Sequence, residues 1–362
     1  MDVAGKILAK IINNRLTVLT EKVLVDTQFG FRANRSCMQS IYVLKQAQQA
    51  ARHKKQNLVA AFVDLEKAFD SIPRQAIWQS LEAIGTPPRL IEVIKGLHKN
   101  SKGFINNEEF CMSRGVRQGC VLGPTLFNIF FHFLVKQANL NGGIPLETVS
   151  KCDIPIPPII KKRIELSHAE YADDLYILDK NKTSLETRLQ RLSDAGKPLG
   201  VKISTSKTKV MWLSEGTLTE AEASKTVSLD GNVLEEVQSF CYLGQVISPA
   251  GSMDVEISHR IQCARSKLSV IGPVLRSERL SQQSKISIVK QIVFPTLLNG
   301  CETWNTTATD ESRLSALLNA CRLRILRKTR FDHLTTEEME ARVQLPKVRT
   351  LLAKRRLGFC HH

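Results

Sequence analysis

Two acids in succession interrupt an otherwise apolar run at HAEYADDLYILDK, residues 168–180, and few folds accommodate that arrangement. The pattern predicts two short strands joined by a tight turn, with Asp173 and Asp174 at its tip. A second apolar run, LVAAFVDLE at 58–66, is rich in Val and Phe and reads as a buried strand with Asp64 near its end. Carboxylates beside buried strands are costly unless an opposing charge meets them, and clustered carboxylates more so. Mg²⁺ held by oxygen ligands supplies such a charge. A pair of these ions, roughly 4 Å apart, suits in-line phosphoryl displacement. Taken singly, each aspartate reads as an ordinary strand-end or turn residue.

The remaining periodicities alternate between helix and strand. GKILAKIINNRLTVL predicts a helix with Ile7, Leu8, Ile11, Ile12 and Leu16 on one face. A second helix is expected from Cys37 to His53 with Ser36 as its N-cap. Pro73 opens a third (RQAIWQSLEAIG) that Gly85 and Pro87-Pro88 close. RLIEVIKGLHKN reads as a further helix, leading through a short strand and the loop SRGVRQGCVLG to an apolar helix beginning at Pro124. Residues 141–167, with IPIPPII at their centre, read as a loop insertion or polyproline connector. A helix from Thr183 to about Leu192 and strands at LGVKIS, TKVMWL and FCYLGQVIS follow. From Met253 onward the pattern is helical: HRIQCARSKLSVIG, SKISIVKQIVFPTLLNG, SRLSALLNACRLRILRKTR and KVRTLLAKRRLG.

Charge narrows the partners. The 362 residues carry 51 Lys and Arg against 35 Asp and Glu, a net charge of +16, which favours a polyanion, either nucleic acid or an anionic membrane surface. The most apolar stretch, VLGPTLFNIFFHFLV, is too short to span a bilayer and carries Pro124, Asn128 and His132. No basic helix pairs with an exposed aromatic face, so no membrane partner is expected. The N-terminus lacks the order of a secretion signal. The nine cysteines form no CxxC pair and read as mostly buried, reduced thiols of an intracellular protein, in nucleus or cytoplasm. The terminal Cys360-His361-His362 reads as a chain end rather than a metal site.

Five segments in order, FVDLEKAFDSIPR, RQGCVLGPTLFNIFF, YADDLYIL, GVKISTSKTKVMWL and FCYLGQVIS, resemble the successive motifs A to E of reverse transcriptases of non-LTR (LINE-type) retrotransposons. QFGFRANRSC upstream is similar to that family's fingers segment. The resemblance implies an α+β right-hand polymerase fold with an antiparallel palm sheet and a helical thumb. Residues 1–57 would be partial fingers, 58–250 the palm with its 141–167 insertion, and 251–362 a basic helical thumb and C-terminal extension. The activity implied is RNA-directed extension of a DNA 3′-hydroxyl by dNTPs, so the partners would be an RNA template, a DNA primer and dNTPs.

Residue by residue, the resemblance makes Asp64 and Asp173 the main ligands of two Mg²⁺ ions, or Mn²⁺, with Asp174 beside them. Phe69 would exclude a 2′-hydroxyl on the incoming nucleotide; from the residues alone it reads as a core aromatic. Gln118 and Gly119 would border the nucleotide and template base. Lys207 would stand near the pyrophosphate as a general acid, or be a solvated surface lysine. Tyr242, Leu243 and Gly244 would form the primer grip, and Asp70 would serve the local fold. Arg322, Arg324, Arg327, Lys328 and Arg330 on one helix, and Lys347, Arg349, Lys354, Arg355 and Arg356 on another, would neutralise phosphates. The chain departs from the family pattern in several places. An Arg-Pro-Ile segment that contacts the triphosphate is expected before residue 5. Motif B has Val-Leu-Gly-Pro, followed by FFHFL in place of a polar pair, and the chain reads as truncated at both ends. The alternative is therefore a retrotransposon remnant that binds nucleic acid without polymerising. The KAFD and YLG wording argues against a group II intron or telomerase type.

Overall fold

The computed structural model describes residues 3–99, 102–105, 108–117, 119–147, 163–216 and 226–360. The chain forms two compact units, Met1–Leu243 and Gly244–His362. In chain order the first contains α1 (Val3–Thr20), α2 (Cys37–His53), β1 (Leu58–Val63), α3 (Ala68–Ser71), α4 (Arg74–Ala83), α5 (Pro88–His98), β2 (Lys102–Ile105), β3 (Glu108–Cys111) and α6 (Gly123–Ala138). There follow β4 (Ile144–Glu147), β5 (Arg163–Leu166), β6 (His168–Tyr171), β7 (Asp174–Asp179), α7 (Lys182–Gly196), β8 (Lys209–Ser214), β9 (Ser228–Leu229), β10 (Asn232–Val233), β11 (Glu235–Glu236) and β12 (Phe240–Tyr242).

The central sheet runs β11-β8-β1-β7-β6, antiparallel except where β11 joins β8 in parallel. Strand β1 is the middle of it and all six residues are buried. Side chains alternate across a strand, so Val59, Ala61 and Val63 join Leu175, Ile177, Val210 and Trp212 in one core with α4, α6 and α7. Phe62 points the other way, stacking on Phe240 and tilting against Tyr242, on the side where Ser40 of α2 meets Tyr242 and Tyr176. With both faces covered, β1 needs no alternation of polarity, which is why its sequence is a continuous apolar run.

Helix α2 has the bounds its cap implies. Ser36 is extended, and the Gln39 side chain accepts from the Ser36 amide at 3.0 Å, a capping box. Helix α1 forms as expected but buries a narrower stripe, Ala9, Ile12, Leu16 and Thr20, leaving Ile7, Leu8 and Ile11 exposed. LGVKIS is not a strand. Pro198 and Gly200 favour a 3-10 turn at Lys197–Leu199, and only Ile203 bridges, to Leu65. The flanks of the proline-rich stretch pair as β4 and β5, while IPIPPII itself lies outside the described residues. FCYLGQVIS divides into two short strands around Leu243 and Gly244, both at positive φ (46° and 76°).

The second unit contains β13 (Gln245–Ile247), α8 (Asp254–Arg276), α9 (Gln282–Leu297), α10 (Ala308–Ile325), α11 (Thr336–Arg342) and α12 (Val348–Cys360). Its core is drawn from four of these helices, with Ile257, Leu268, Val289, Val293, Leu314, Leu318 and Leu352 fully buried. Among the described residues no helix is long and apolar enough to cross a membrane. The described cysteines are all free thiols, and only Cys120, Cys301 and Cys321 are buried. Burial pushes Cys301 and Cys321 up to about 12, which makes them inert packing groups.

Candidate active site

The register of the sheet assembles the acids. Val63 of β1 pairs with Leu175 of β7, so one step further the strand end at Asp64 faces the turn carrying Asp173 and Asp174. That turn is tight because Ala172 adopts φ 58°, a left-handed conformation rare for a residue with a side chain. Burial pushes the Asp173 carboxyl up, a backbone amide opposes the shift, and repulsion from Asp64 adds to it. Asp174 opens to solvent at the tip, yet crowding around its carboxylate, then repulsion from Asp173 and Asp64, raise it to about 6.

Lys207 enters the same cluster, its ammonium 3.7 Å from Asp64 Oδ2. Asp64 is also fixed through its backbone. Its amide donates to the buried Thr208 hydroxyl at 3.2 Å, and its carbonyl accepts from the Ser204 amide at 2.8 Å. Neither Thr208 nor Ser204 was singled out by sequence. A polar pair flanking a strand start carries no signal until its partner, about 140 residues away, is known.

Phe69 lies half-buried on α3 and stacks on Phe127 of α6, centroids 4.3 Å apart and planes 23° apart. Its carbonyl accepts from the Val116 amide at 3.0 Å, and the Gly115 amide donates to Ile72. Gly115, at φ 72°, approaches so closely that a Cβ would lie 2.7 Å from Asp70 Cα. The loop before α6 is therefore laid directly on the Phe69 turn. Gly119 sits at φ 77° with open space around it, so glycine there serves the backbone conformation. Gln118 lies outside the described residues.

Tyr242 is 2% exposed, its hydroxyl 3.1 Å from Ser40 Oγ, edge-on to Tyr176. Its side chain anchors the turn at Leu243, which is half-buried. In the second unit the fully buried Glu256 accepts from the Val246 amide at 2.7 Å and from Arg260 Nε at 2.6 Å, and Arg260 also donates to the Gly244 carbonyl. This pair holds the 244–246 segment and was not found from sequence.

The expected basic stripe is shorter than composition implies. Arg322 is 2% exposed and donates to the carbonyls of Val343 and Leu345, so it has no surface to offer a phosphate. Arg324 is half-buried and donates to the Leu268 carbonyl at 2.5 Å. Arg327, Lys328 and Arg330 are exposed, the first two paired with Glu278 and Asp332, and Arg330 lies over the Phe331 ring. On α12, Arg355 and Arg356 donate to the carbonyls of Leu298 and Trp304; Lys347, Arg349 and Lys354 are exposed.

The acids fit a divalent cation on two counts. Asp64 Oδ2 is buried with no hydrogen-bond partner, and the Asp173 and Asp174 carboxyls are raised by burial and then by repulsion, from Asp64 for the first and from Asp173 and Asp64 for the second. Among the described residues no three His, Cys, Asp or Glu side chains close into a metal cage.

The profile of a family described as reverse transcriptase (RNA-dependent DNA polymerase) matches residues 1–247. The RNA-directed DNA polymerase from mobile element jockey of Drosophila melanogaster is 25% identical over 358 residues, 95% of this chain and 36% of that protein. The retrovirus-related Pol polyprotein from type-1 retrotransposable element R2 of Popillia japonica is 22% identical over 316 residues, 84% of this chain and 41% of that protein. The chain thus spans less than half the length of these relatives. Among solved structures, apo telomerase from Candida tropicalis aligns with TM-score 0.47 and 13% identity, over 97% of this chain and 54% of that one.

Proposed function

The chain belongs to the reverse transcriptase (RNA-dependent DNA polymerase) family, and we propose that it is the polymerase core of a non-LTR retrotransposon protein, extending a DNA 3′-hydroxyl with dNTPs on an RNA template. Its fold is the α+β right-hand polymerase fold of that family. We assign residues 1–57 to partial fingers, 58–250 to the palm and 251–362 to a basic helical thumb. The observation that carries the reading is the convergence of Asp64, Asp173 and Asp174 at one end of the sheet, beside Lys207.

The family implies dependence on a divalent metal. Asp64 and Asp173, with Asp174 alongside, would hold two Mg²⁺ ions. When bound, these supply charge stabilisation for the attacking and leaving oxygens. The 3′-hydroxyl loses its proton to solvent as its oxygen attacks the α-phosphorus, the bond to pyrophosphate breaks, and Lys207 gives a proton to the departing oxygen and regains one from solvent. Phe69, backed by Phe127, closes the space a 2′-hydroxyl would need. Gly119 and Gln118 border the base, and the Leu243-Gly244 backbone supports the primer end. Arg327, Lys328, Arg330, Lys347, Arg349 and Lys354 face phosphates of the duplex. No covalent intermediate forms, so the residues contribute positioning and electrostatics.

Primer extension on poly(rA)·oligo(dT) in Mg²⁺, comparing the chain with its Asp173→Ala form, tests this. Extension that disappears in the variant and on chelation supports the reading. Salt-sensitive duplex binding without extension by either form would replace it with a nucleic-acid-binding remnant.

A further inference from the structure

We propose that Gln28 and Asn128, acting through Gly30, are positioning residues for the carboxylates at the tip of the β6–β7 hairpin. The inference rests on reading Asp64, Asp173 and Asp174 as metal ligands. Gln28 and Asn128 are 0% and 2% exposed, a setting in which polar side chains are nearly always hydrogen-bonded. Gln28 Nε2 donates to Asn128 Oδ1 at 3.2 Å across 100 residues of sequence. Gln28 Oε1 accepts the Gly30 amide at 2.6 Å, and Asn128 Nδ2 donates to the Gly30 carbonyl at 2.7 Å. Both backbone groups of Gly30 are thus held by these two side chains.

Gly30 in turn holds the catalytic turn. Residues 27–29 run along the free edge of β6: the Glu170 amide donates to the Thr27 carbonyl at 3.0 Å, and the Phe29 amide to the Glu170 carbonyl at 2.8 Å. The chain then brings Gly30 against the Tyr171–Ala172 peptide, where a Cβ would lie 2.4 Å from the Ala172 nitrogen. Ala172 is the residue at φ 58°, a conformation that alanine leaves unless its surroundings impose it. Asp173 is the next residue. A shift of Gly30 therefore moves the peptide from which both acids project.

Asn128 follows Phe127 on α6, and Phe127 stacks on Phe69. Consecutive residues of one helix thereby support the sugar-facing aromatic and the acid turn. Apolar residues of similar shape would fill the same space at comparable stability. What two buried amides add is a fixed register between helix, loop and hairpin.

The test uses the full chain and its Asn128→Leu and Gln28→Met forms, which keep side-chain volume and remove the amides. Mn²⁺ binding is titrated by electron paramagnetic resonance, thermal melts report folding, and single-turnover dTTP incorporation on poly(rA)·oligo(dT) reports chemistry. Both variants are expected to melt cooperatively and to lose about tenfold in Mn²⁺ affinity, as outer-shell changes do. Incorporation falls at least about tenfold while the KM for dTTP stays within about twofold, since ground-state nucleotide contacts are untouched. A folded variant with unchanged Mn²⁺ affinity overturns the proposal, even if its melting temperature falls, because it leaves the amides a purely structural role. Should Asn128→Leu not fold, Gln28→Met decides, since it preserves the Asn128–Gly30 bond. A wild-type chain that binds Mn²⁺ yet incorporates nothing sinks the polymerase reading alone, and the amide pair is then judged on Mn²⁺ affinity.

Discussion

The backbone amide of Asp64 donates to the side-chain hydroxyl of Thr208, a fully buried residue just ahead of β8. Asp64 Oδ2, by contrast, is buried with no hydrogen-bond partner. The main chain of this acid is fixed by hydrogen bonds, while its carboxylate meets the Lys207 ammonium at 3.7 Å. Thr208→Val keeps the shape and removes the acceptor, so it should cost about 1–2 kcal/mol of stability in a urea melt. Incorporation should fall roughly tenfold as Asp64 loosens, and Thr208→Ser should restore most of it. Wild-type incorporation by Thr208→Val would show that the bond does nothing for the site.

Phe69 and Phe127 form the second tested pair. With Phe69→Val the ring proposed to block a 2′-hydroxyl is removed, and the preference for dTTP over UTP, read as a ratio of kcat/KM, should fall roughly tenfold or more. Phe127→Leu leaves Phe69 in place but withdraws the face it stacks on at 4.3 Å. It should move the ratio in the same direction by less. An unchanged ratio in Phe69→Val would return Phe69 to the core.

The arginines of α10 and its C-terminal turn separate by burial. Arg322→Met removes donors from two buried carbonyls and should lower stability by about 2–4 kcal/mol in a denaturant melt, with little effect on the salt dependence of duplex binding. The combined Arg327→Ala, Lys328→Ala and Arg330→Ala form should melt like wild type. It should reduce the slope of log affinity against log salt by about 2–3. Exchange of these two outcomes would mean that burial has been misread as structural.

What could be read from the sequence was local. The Ser36 cap, the ends of α2 and the hairpin carrying Asp173 and Asp174 depend on neighbours within a few residues, and each was legible. Membership of the stripe on α1 was not, because whether Ile7 or Ala9 is buried depends on what α6 presents to the helix. LGVKIS has strand-forming residues, but Pro198 and Gly200 and the absence of a ladder partner prevail over them. Arg322 looks like its exposed neighbours in composition, and only the carbonyls of Val343 and Leu345 distinguish it. Thr208, Gln28 and Asn128 act on partners 98 or more residues away, beyond the reach of any periodicity.

His98 sets a pH limit on the fold. It is 1% exposed on α5, its Nδ1 2.9 Å from the Ile94 carbonyl, with the Trp78 ring edge-on. Burial lowers its pKa; the Ile94 contact opposes this, and the positive charges of Arg74 and Arg117 lower it further. The folded imidazole thus resists a proton that the unfolded one accepts near 6.5. Above that value both states are neutral and the group has no effect. As pH falls through it, the unfolded state gains the proton first, and stability declines by up to about 1.4 kcal/mol per pH unit until the folded pKa is reached. Urea midpoints measured from pH 7.5 to 5.5 should fall for the wild-type chain, and the fall should be shallower for His98→Leu, which cannot titrate. Parallel curves for the two would locate the acid sensitivity elsewhere, with the buried His132, whose pKa burial also lowers, as the next residue to replace.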